Sequence, residues 1–436
     1  MQQSLLAHGE IHNSVRMTWG KAFAAFTPDA EHTLAMSIDL NHRYALDGRD
    51  PASFGGLLWC LGQFDRPFTP ENRILGGVRG RTMLDQAARD DVDRYARHVQ
   101  RPVYVVPRRV AVIGAGLAGL TCARTLADHN INVTVFEKSR GFGGRCATRR
   151  DGVWRFDHGA QYFTLRDERL VPLMHAWQQQ GVIAKWQGAL GVREASGWQP
   201  ASAATQRYVA VPGMSALGRH LANDLDVQCG TQVAVIKREG RGWRLLSDVG
   251  ADLGAYDTVL VCVPSPQAGV LLEDIAPSLA AQAAEAVMHP TWATMLVLRE
   301  RPGLRWDGAF INDDATLGWI SRDASKPGRA AHETWVLHAT RAWSVQHIGD
   351  DAARVATAMV DAFAAIAGAV EPVHAVAHRW LYALPDPVTR ESALFDASLG
   401  LGAGGDWCGG PRVEGALLSG FALAGRVMTA AHLASA

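Results

Sequence analysis

The chain has 436 residues, 48% of them hydrophobic and 20% charged, with 43 basic against 43 acidic side chains. That length predicts two or three domains with material for a packed core, the low charge excludes a disordered chain, and zero net charge removes the global basic field that a nucleic-acid or anionic-membrane partner would need. No apolar run reaches the roughly 18 residues of a membrane span, no signal peptide is visible, and six scattered cysteines lack disulfide or zinc spacing, so a cytoplasmic protein with reduced thiols and no metal centre is expected.

Residues 1–98 read as helical, punctuated by turns at Thr27-Pro28, at 47–51 and at Arg66-Pro67. The string VQRPVYVVPR (99–108) reads as a linker or entry strand, which sets a domain boundary near 105. Residues 110–113 suit a buried parallel strand, 117–129 a helix, and 132–139 a second strand ending in Glu137. Residues 231–246 read as a hairpin turning at Gly240-Arg241-Gly242, and 258–264 as a buried strand stopped by Pro264. Alanine-rich helices are predicted over 265–288 and 350–368. Aromatic-bearing strands are predicted over 292–298, 317–323, 334–340 and 377–385. The chain closes with GLGAGGDWCGG (400–410) and a helix that places Val413, Leu417, Phe421, Ala424 and Met428 on one face.

Gly114-Ala115-Gly116-Leu117-Ala118-Gly119 matches G-x-G-x-x-G between the first predicted strand and helix. Gly114 serves a tight turn, Gly116 lets backbone approach a pyrophosphate, and Gly119 allows close helix packing. The helix start offers free N–H groups to phosphates. Glu137, 18 residues past Gly119, stands where an acid takes ribose hydroxyls. The pattern predicts a bound dinucleotide, NAD or FAD.

Further strings favour FAD. Glu137-Lys138 leads through a second glycine turn to Gly144-Arg145, which resembles the E-K-x4-G-G-R pattern of amine-oxidase-like flavoproteins. GGRCATRR (143–150), FDHGAQYFT (156–164), SRDASKPGR (321–329), HRWLYALP (378–385) and GDWCGGPRVEGALLSG (405–420) together resemble renalase and its bacterial relatives over 109–436. The resemblance implies an α/β fold: a Rossmann-type FAD-binding domain with a mixed-sheet substrate domain, preceded by a helical N-terminal segment. It divides 106–436 into FAD-binding parts at about 106–165, 205–265 and 395–436 and a substrate domain at about 166–204 and 266–394. It implies non-covalent FAD held by Gly114, Ala115, Gly116 and Gly119, by Glu137, Lys138, Gly144 and Arg145, and by Val233, Asp406, Arg412 and Val413, with Glu414 nearby. The implied chemistry is hydride transfer from a small reduced substrate, a reduced nicotinamide dinucleotide isomer or an amine, with oxygen as acceptor. His158, Tyr162, Trp319 and Trp380 are the candidate catalytic residues. Trp335 and Tyr382 join Trp319 and Trp380 as candidates for an aromatic slot, and Cys146 and Cys408 read as free thiols beside the flavin motifs.

Residues 8–83 resemble another flavoprotein family, the class II DNA photolyases, through HGEIHNSVRMTWGKAF (8–23), LNHRYALDGRDPASFGGLLWCLG (40–62) and RILGGVRGRTM (73–83). By that match Asn41 is the flavin-facing asparagine, Asp47 and Arg49 belong to the FAD cradle, and Trp19 to an electron-transfer chain whose next tryptophan is replaced by Phe26. The antenna and the first part of that cradle are absent, and basic and acidic residues are nearly balanced, so residues 1–105 are expected to be a helical photolyase-like fragment and linker with no DNA partner. A fusion with further coding sequence upstream, part of a photolyase-type repair flavoprotein, is the alternative expectation.

Overall fold

The structure, a computed structural model, describes residues 5–6, 11–45, 47–89, 91, 93–95, 109–202, 204–386 and 391–433. The linker expected at 99–108 and the opening of the photolyase-like string at 8–10 lie outside the described residues. Two compact units are present, one of Met1–Val106 with Asp128–Asn130 and Asp167–Gly181, the other of Pro107–Ala127, Ile131–Arg166 and Val182–Ala436.

The first unit contains the helices Asn13–Ala22, Ala30–Tyr44, Pro51–Cys60, Met83–Arg89 and Val171–Gln179. Their starts follow from local chemistry. The side chains of His12, Asp29 and Asp50 accept the N–H groups of Ser14, His32 and Ala52, and Pro51 fills a first-turn position that needs no donor. A polar knot joins three helices. Arg16 donates to Asn41 Oδ1 and Ser53 Oγ, both at 2.7 Å, and to Asp47 at 3.0 Å. The Asn41 amide nitrogen donates to Gly48 O at 2.9 Å and to Ser53 Oγ at 2.8 Å. Both ends of that buried amide are therefore engaged within the unit. Phe26, by contrast, is 77% exposed.

The second unit is built on a six-stranded sheet in the order Leu394–Asp396, Leu401–Ala403, Thr258–Val261, Arg109–Ile113, Asn132–Glu137, Asp226–Cys229. All neighbours are parallel except the first pair. The central strands are buried almost throughout, as parallel strands covered on both faces require. Helix Leu117–Asp128 makes the crossover between Arg109–Ile113 and Asn132–Glu137. The expected hairpin is Val233–Glu239 with Gly242–Ser247, and Asp252–Tyr256 adds a third antiparallel strand. The alanine-rich stretch after 264 forms two helices, Ser265–Leu272 and Pro277–Ala284, because Pro277 starts a new helix rather than continuing the first.

A seven-stranded mixed sheet runs in the order Pro372–Pro385, Met288–Leu298, Thr334–Ala339, Leu317–Arg322, Gly308–Ile311, Leu190–Glu194, Gly197–Pro200. Helix Ala352–Ala367 covers one face through Val355, Met359 and Phe363. Strand parity sends Trp335 to this face, fully buried with its ring centroid 5.1 Å from that of Phe363. Trp335 is thus a core residue and not part of an aromatic slot, which corrects the expectation from sequence.

Candidate cofactor and substrate cavity

A cavity of about 2040 Å³ in the second unit opens where four parallel strands end, at Gly114, Glu137, Val263 and Gly405. Crevices at the carboxyl ends of such strands are where doubly wound sheets bind ligands. The wall here begins with two interlocked glycine turns. Gly114 adopts φ +105°, and a Cβ there would meet Cys262 O at 2.6 Å. Gly116 is the opposite case: a Cβ would meet nothing within 4 Å and would stand in the cradle itself. Gly119 is not part of the wall. Its Cβ would lie 2.0 Å from Gly114 O, so its missing side chain permits the helix to pack.

The second turn is tied to the first. Gly143 N–H donates to Ala115 O at 2.8 Å, Gly116 and Gly143 form a parallel bridge, and Gly144 packs on Gly116. The buried Glu137 carboxylate joins both turns, accepting Ala115 N–H at 2.8 Å and Ser139 N–H at 2.7 Å. Each carboxylate oxygen retains accepting capacity toward the cavity. Ala115 itself is fully buried, Val233 forms buried wall, and Lys138 and Arg412 stand at the exposed rim. Val413 continues the wall at the start of helix Val413–Leu433, while Glu414 turns away and accepts the Arg166 backbone N–H.

Arg145 and Asp406, 261 residues apart in sequence, form a bidentate ion pair of 2.8 and 2.5 Å, and Arg145 also donates to Ala383 O at 3.0 Å. Such fork-to-carboxylate pairing fixes both groups in place. The structure thus brings together two residues whose motifs lie far apart in the sequence. The empty space at Gly116, the helix start beyond it and the spare capacity on Glu137 fit an FAD pyrophosphate and ribose. Cys146 and Cys262 also line the cavity, but burial pushes both thiols up to about 12, leaving them unreactive. Cys408 is buried.

The far wall is the uncovered face of the seven-stranded sheet. Register aligns His378, Ala293, His338, Trp319 and Phe310 in one row across five strands. Trp380 and Tyr382 follow His378 at two-residue spacing and also line the cavity. Against this row lies the 157–162 loop. His158 O accepts from His338 Nε2 at 3.1 Å and from Trp380 Nε1 at 3.0 Å. The His158 ring is 4.9 Å from His378 and 4.8 Å from Trp380, and Tyr162 is 5.5 Å from Trp319. A Cβ on Gly159 would stand 2.0 Å from Arg145 O, so glycine lets the loop close against the arginine turn.

Burial, then the neighbouring His378 and Arg149, pushes His158 down to about 3. Burial takes His338 down to about 4, and burial with Arg149 lowers His378. These shifts favour the neutral form of all three imidazoles, and the His338 ring is engaged by the His158 carbonyl. Among the described residues, Glu137 and Asp406 alone bring carboxylates to the wall, whereas Arg140, Arg149, Arg150, Arg219, Arg341 and Arg379 bring guanidinium groups.

Beneath the loop is a buried charge cluster. Asp157 accepts Thr148 Oγ at 2.7 Å and Met214 N–H at 2.9 Å, and its other oxygen pairs with Arg329. Lys326 Nζ bonds Asp323 at 2.6 Å and Gln161 Oε1 at 3.1 Å, and lies 3.9 Å from Asp157. Burial alone would raise the Asp157 carboxyl, but Lys326 and Arg329 hold it below its ordinary value. His338, His378, Gln161 and this cluster were not singled out from sequence. The available signal was polar residues at cavity-facing parity within the otherwise apolar strands 334–340 and 377–385.

Residues 112–177 match an NAD(P)-binding Rossmann-like domain, and 189–428, more than half the chain, match the flavin containing amine oxidoreductase family. Among solved structures, a putative protoporphyrinogen oxidase from Exiguobacterium sp. 255-15 is similar at TM-score 0.60 and 15% identity, over 74% of this chain and 99% of that one. Cyclohexylamine oxidase from Brevibacterium oxydans is similar at TM-score 0.59 and 13% identity, over 76% and 100%. Both likenesses concern the fold. A deoxyribodipyrimidine photo-lyase of Methanothermobacter thermautotrophicus is 40% identical over 78 residues, 18% of this chain and 17% of that enzyme. The chain thus spans about a fifth of the length of the photolyases it matches. No helix among the described residues is long and apolar enough to cross a membrane. By its match over more than half its length, the chain belongs to the flavin-containing amine oxidoreductase family and is an FAD-dependent oxidoreductase.

Proposed function

We propose that the chain takes a hydride from a reduced nicotinamide dinucleotide isomer to FAD lying in the cavity, with oxygen as the final acceptor. The observation that carries this reading is the continuity of one cavity from the paired glycine turns to the aromatic and imidazole row. FAD supplies the redox chemistry when bound, and the protein supplies position, polarity and exclusion of water.

In this reading Gly114, Gly116 and Gly144 leave room for the pyrophosphate, with Gly119 behind them and Ala115 tied to Glu137. Glu137 takes ribose hydroxyls, and Lys138 and Arg412 add positive charge at the rim. The Arg145–Asp406 pair supports the middle of the cofactor, and Val233 and Val413 give apolar wall. Trp319, Trp380 and Tyr162 hold the substrate ring flat, and His158 anchors that wall through its carbonyl. A dihydropyridine gives up a hydride without first losing a proton, so a wall of neutral imidazoles suffices.

This reading assigns the reaction to the second unit. In the first unit the Asn41 amide is engaged by Arg16, Gly48 and Ser53.

The test is anaerobic mixing of the FAD-loaded protein with reduced nicotinamide isomers, NADH, NADPH and a panel of primary amines, watching flavin absorbance. Bleaching within seconds by an isomer, with peroxide on admission of air, supports the proposal. Bleaching by amines alone, or by no hydride donor, overturns it.

A further inference from the structure

The chain carries no net charge, yet guanidinium groups outnumber carboxylates along the cavity wall. Part of that excess lies on a hairpin of strands Arg149–Asp151 and Trp154–Phe156, which pairs Arg149 with Phe156, Arg150 with Arg155 and Asp151 with Trp154. Strand parity separates its two faces. On one, Phe156 and Trp154 pack with Met295, Val297 and Val336 of the seven-stranded sheet. On that same side Trp154 stacks on His374, and Asp151 bonds His374 Nε2 at 3.2 Å. The other face presents Arg150 and Arg155, both exposed and directly opposite one another. Like charges so placed cost stability.

Arg219 adds a further guanidinium. Helix Ser215–Ala222 starts against the residue before the hairpin, where Ser215 N–H donates to Thr148 Oγ at 3.1 Å. One turn on, Arg219 folds back to donate to Ser215 Oγ at 2.9 Å. Burial, and then the charges of Arg150 and Arg155, lower the Arg219 guanidinium from its ordinary value. Among the described residues no carboxylate is hydrogen-bonded or ion-paired to Arg150, Arg155 or Arg219; nearby Asp151 is taken by His374 and Asp157 by Arg329. Arg150 and Arg219 line the cavity. Guanidinium groups gathered in this way suit a phosphoryl group, whose oxygens accept from several donors at once.

The position points to a ligand other than the cofactor. The hairpin leans on strand Pro372–Pro385, which carries His378 and Trp380, and the Arg149 charge acts on both His158 and His378. The arginines therefore stand beside the aromatic and imidazole wall. The cavity, at about 2040 Å³, also exceeds the roughly 300–1,000 Å³ of a single-ligand pocket, which leaves room for a second dinucleotide beside FAD.

We infer that Arg150, Arg155 and Arg219 form a phosphate-recognition site that takes the diphosphate of a dinucleotide substrate. This rests on the proposed reading of the cavity for the identity of that substrate. The same charges repel an alkylammonium, so they select a nucleotide hydride donor over an amine.

The test is calorimetric titration of the oxidised FAD-loaded protein with two probes. One is NAD+, and the other is nicotinamide riboside, which has the same ring and ribose without phosphate. NAD+ should bind at least about tenfold more tightly, the worth of one charge-assisted hydrogen bond, and added salt should shrink the difference. Arg150→Gln and Arg219→Gln should each weaken NAD+ about tenfold while riboside and FAD affinities stay within about twofold of wild type. NAD+ binding no tighter than the riboside, or NAD+ affinity of the double variant within about twofold of wild type, overturns the inference. Loss of FAD affinity in either variant also overturns it, because the cluster would then serve the cofactor. Hydride transfer from the isomers is read separately. A flavin that no isomer bleaches, in protein that keeps the arginine-dependent preference for NAD+, refutes the reaction and leaves the phosphate site standing.

Discussion

Asp157→Asn probes how the 157–162 loop is held. The Asp157 side chain has no exposure, and it faces Arg329 at 5% and Lys326 at 0%. The substitution preserves shape and most of the contacts from Thr148 and Met214 but removes one charge. Two buried cations then face Asp323 alone. Breaking a buried pair in this way costs about 3–5 kcal/mol. At roughly 2–4 °C per kcal/mol for a unit of this size, the melting temperature should fall by about 6–20 °C. Thermal unfolding followed by circular dichroism, with flavin fluorescence alongside, measures it. Adding Lys326→Met restores the balance of charge and should recover part of the loss, a coupling that a double-mutant cycle reads directly. A melting temperature within 2 °C of wild type, with no recovery in the double variant, would refute the claim that charge balance holds the loop.

Three further outcomes follow from the same geometry. Gly116→Ala places its Cβ in open cradle space, so folding stability should stay within about 0.5 kcal/mol while flavin affinity falls; Gly119→Ala drives its Cβ to 2.0 Å from Gly114 O and should destabilise the fold. Equal behaviour of the two in paired melting and flavin-binding assays would contradict the division of roles. Arg145→Ala leaves the Asp406 carboxylate without its forked partner, and the FAD dissociation constant, read by fluorescence titration, should rise about 10–100-fold; an unchanged constant would remove the pair from the cofactor wall. The depressed histidines set the acid limb of stability. Their folded values, about 3 for His158 and about 4 for His338, lie below the unfolded value. The unfolded chain therefore binds more protons, and stability falls as pH drops from about 6.5 toward those values, by up to about 1.4 kcal/mol per pH unit for each group. His338→Gln should make that limb shallower in denaturation measured from pH 7 to 4, and an unchanged slope would show that His338 is not buried neutral.

Local chemistry made the nucleotide-binding half legible. The strand, glycine turn, helix and acid lie within about 30 contiguous residues, and each element announces itself by composition. The last helix and the hairpin at Gly240 were legible for the same reason. The substrate wall was not, because register creates it. His158, His338 and His378 meet only when three strands are aligned and the 157–162 loop is laid against them, and no single strand shows which of its faces is open. Trp335 and Trp319 look alike in sequence, yet strand parity buries one against Phe363 and turns the other to the cavity. The Arg145–Asp406 pair likewise joins two recognisable motifs whose distance in sequence hid their contact. In the first unit, motif matching identified Asn41, but only the surrounding contacts show that Arg16, Gly48 and Ser53 already occupy it.

The account places one flavin in the cavity of the second unit and makes it the redox centre. Anaerobic titration of FAD-loaded protein, counting flavin per chain and equivalents of reduced nicotinamide isomer consumed, tests this most directly. The account predicts one FAD per chain, fully bleached by one equivalent and lost in Gly116→Ala. A second flavin that survives that substitution, or a bound flavin that no hydride donor bleaches, would contradict it.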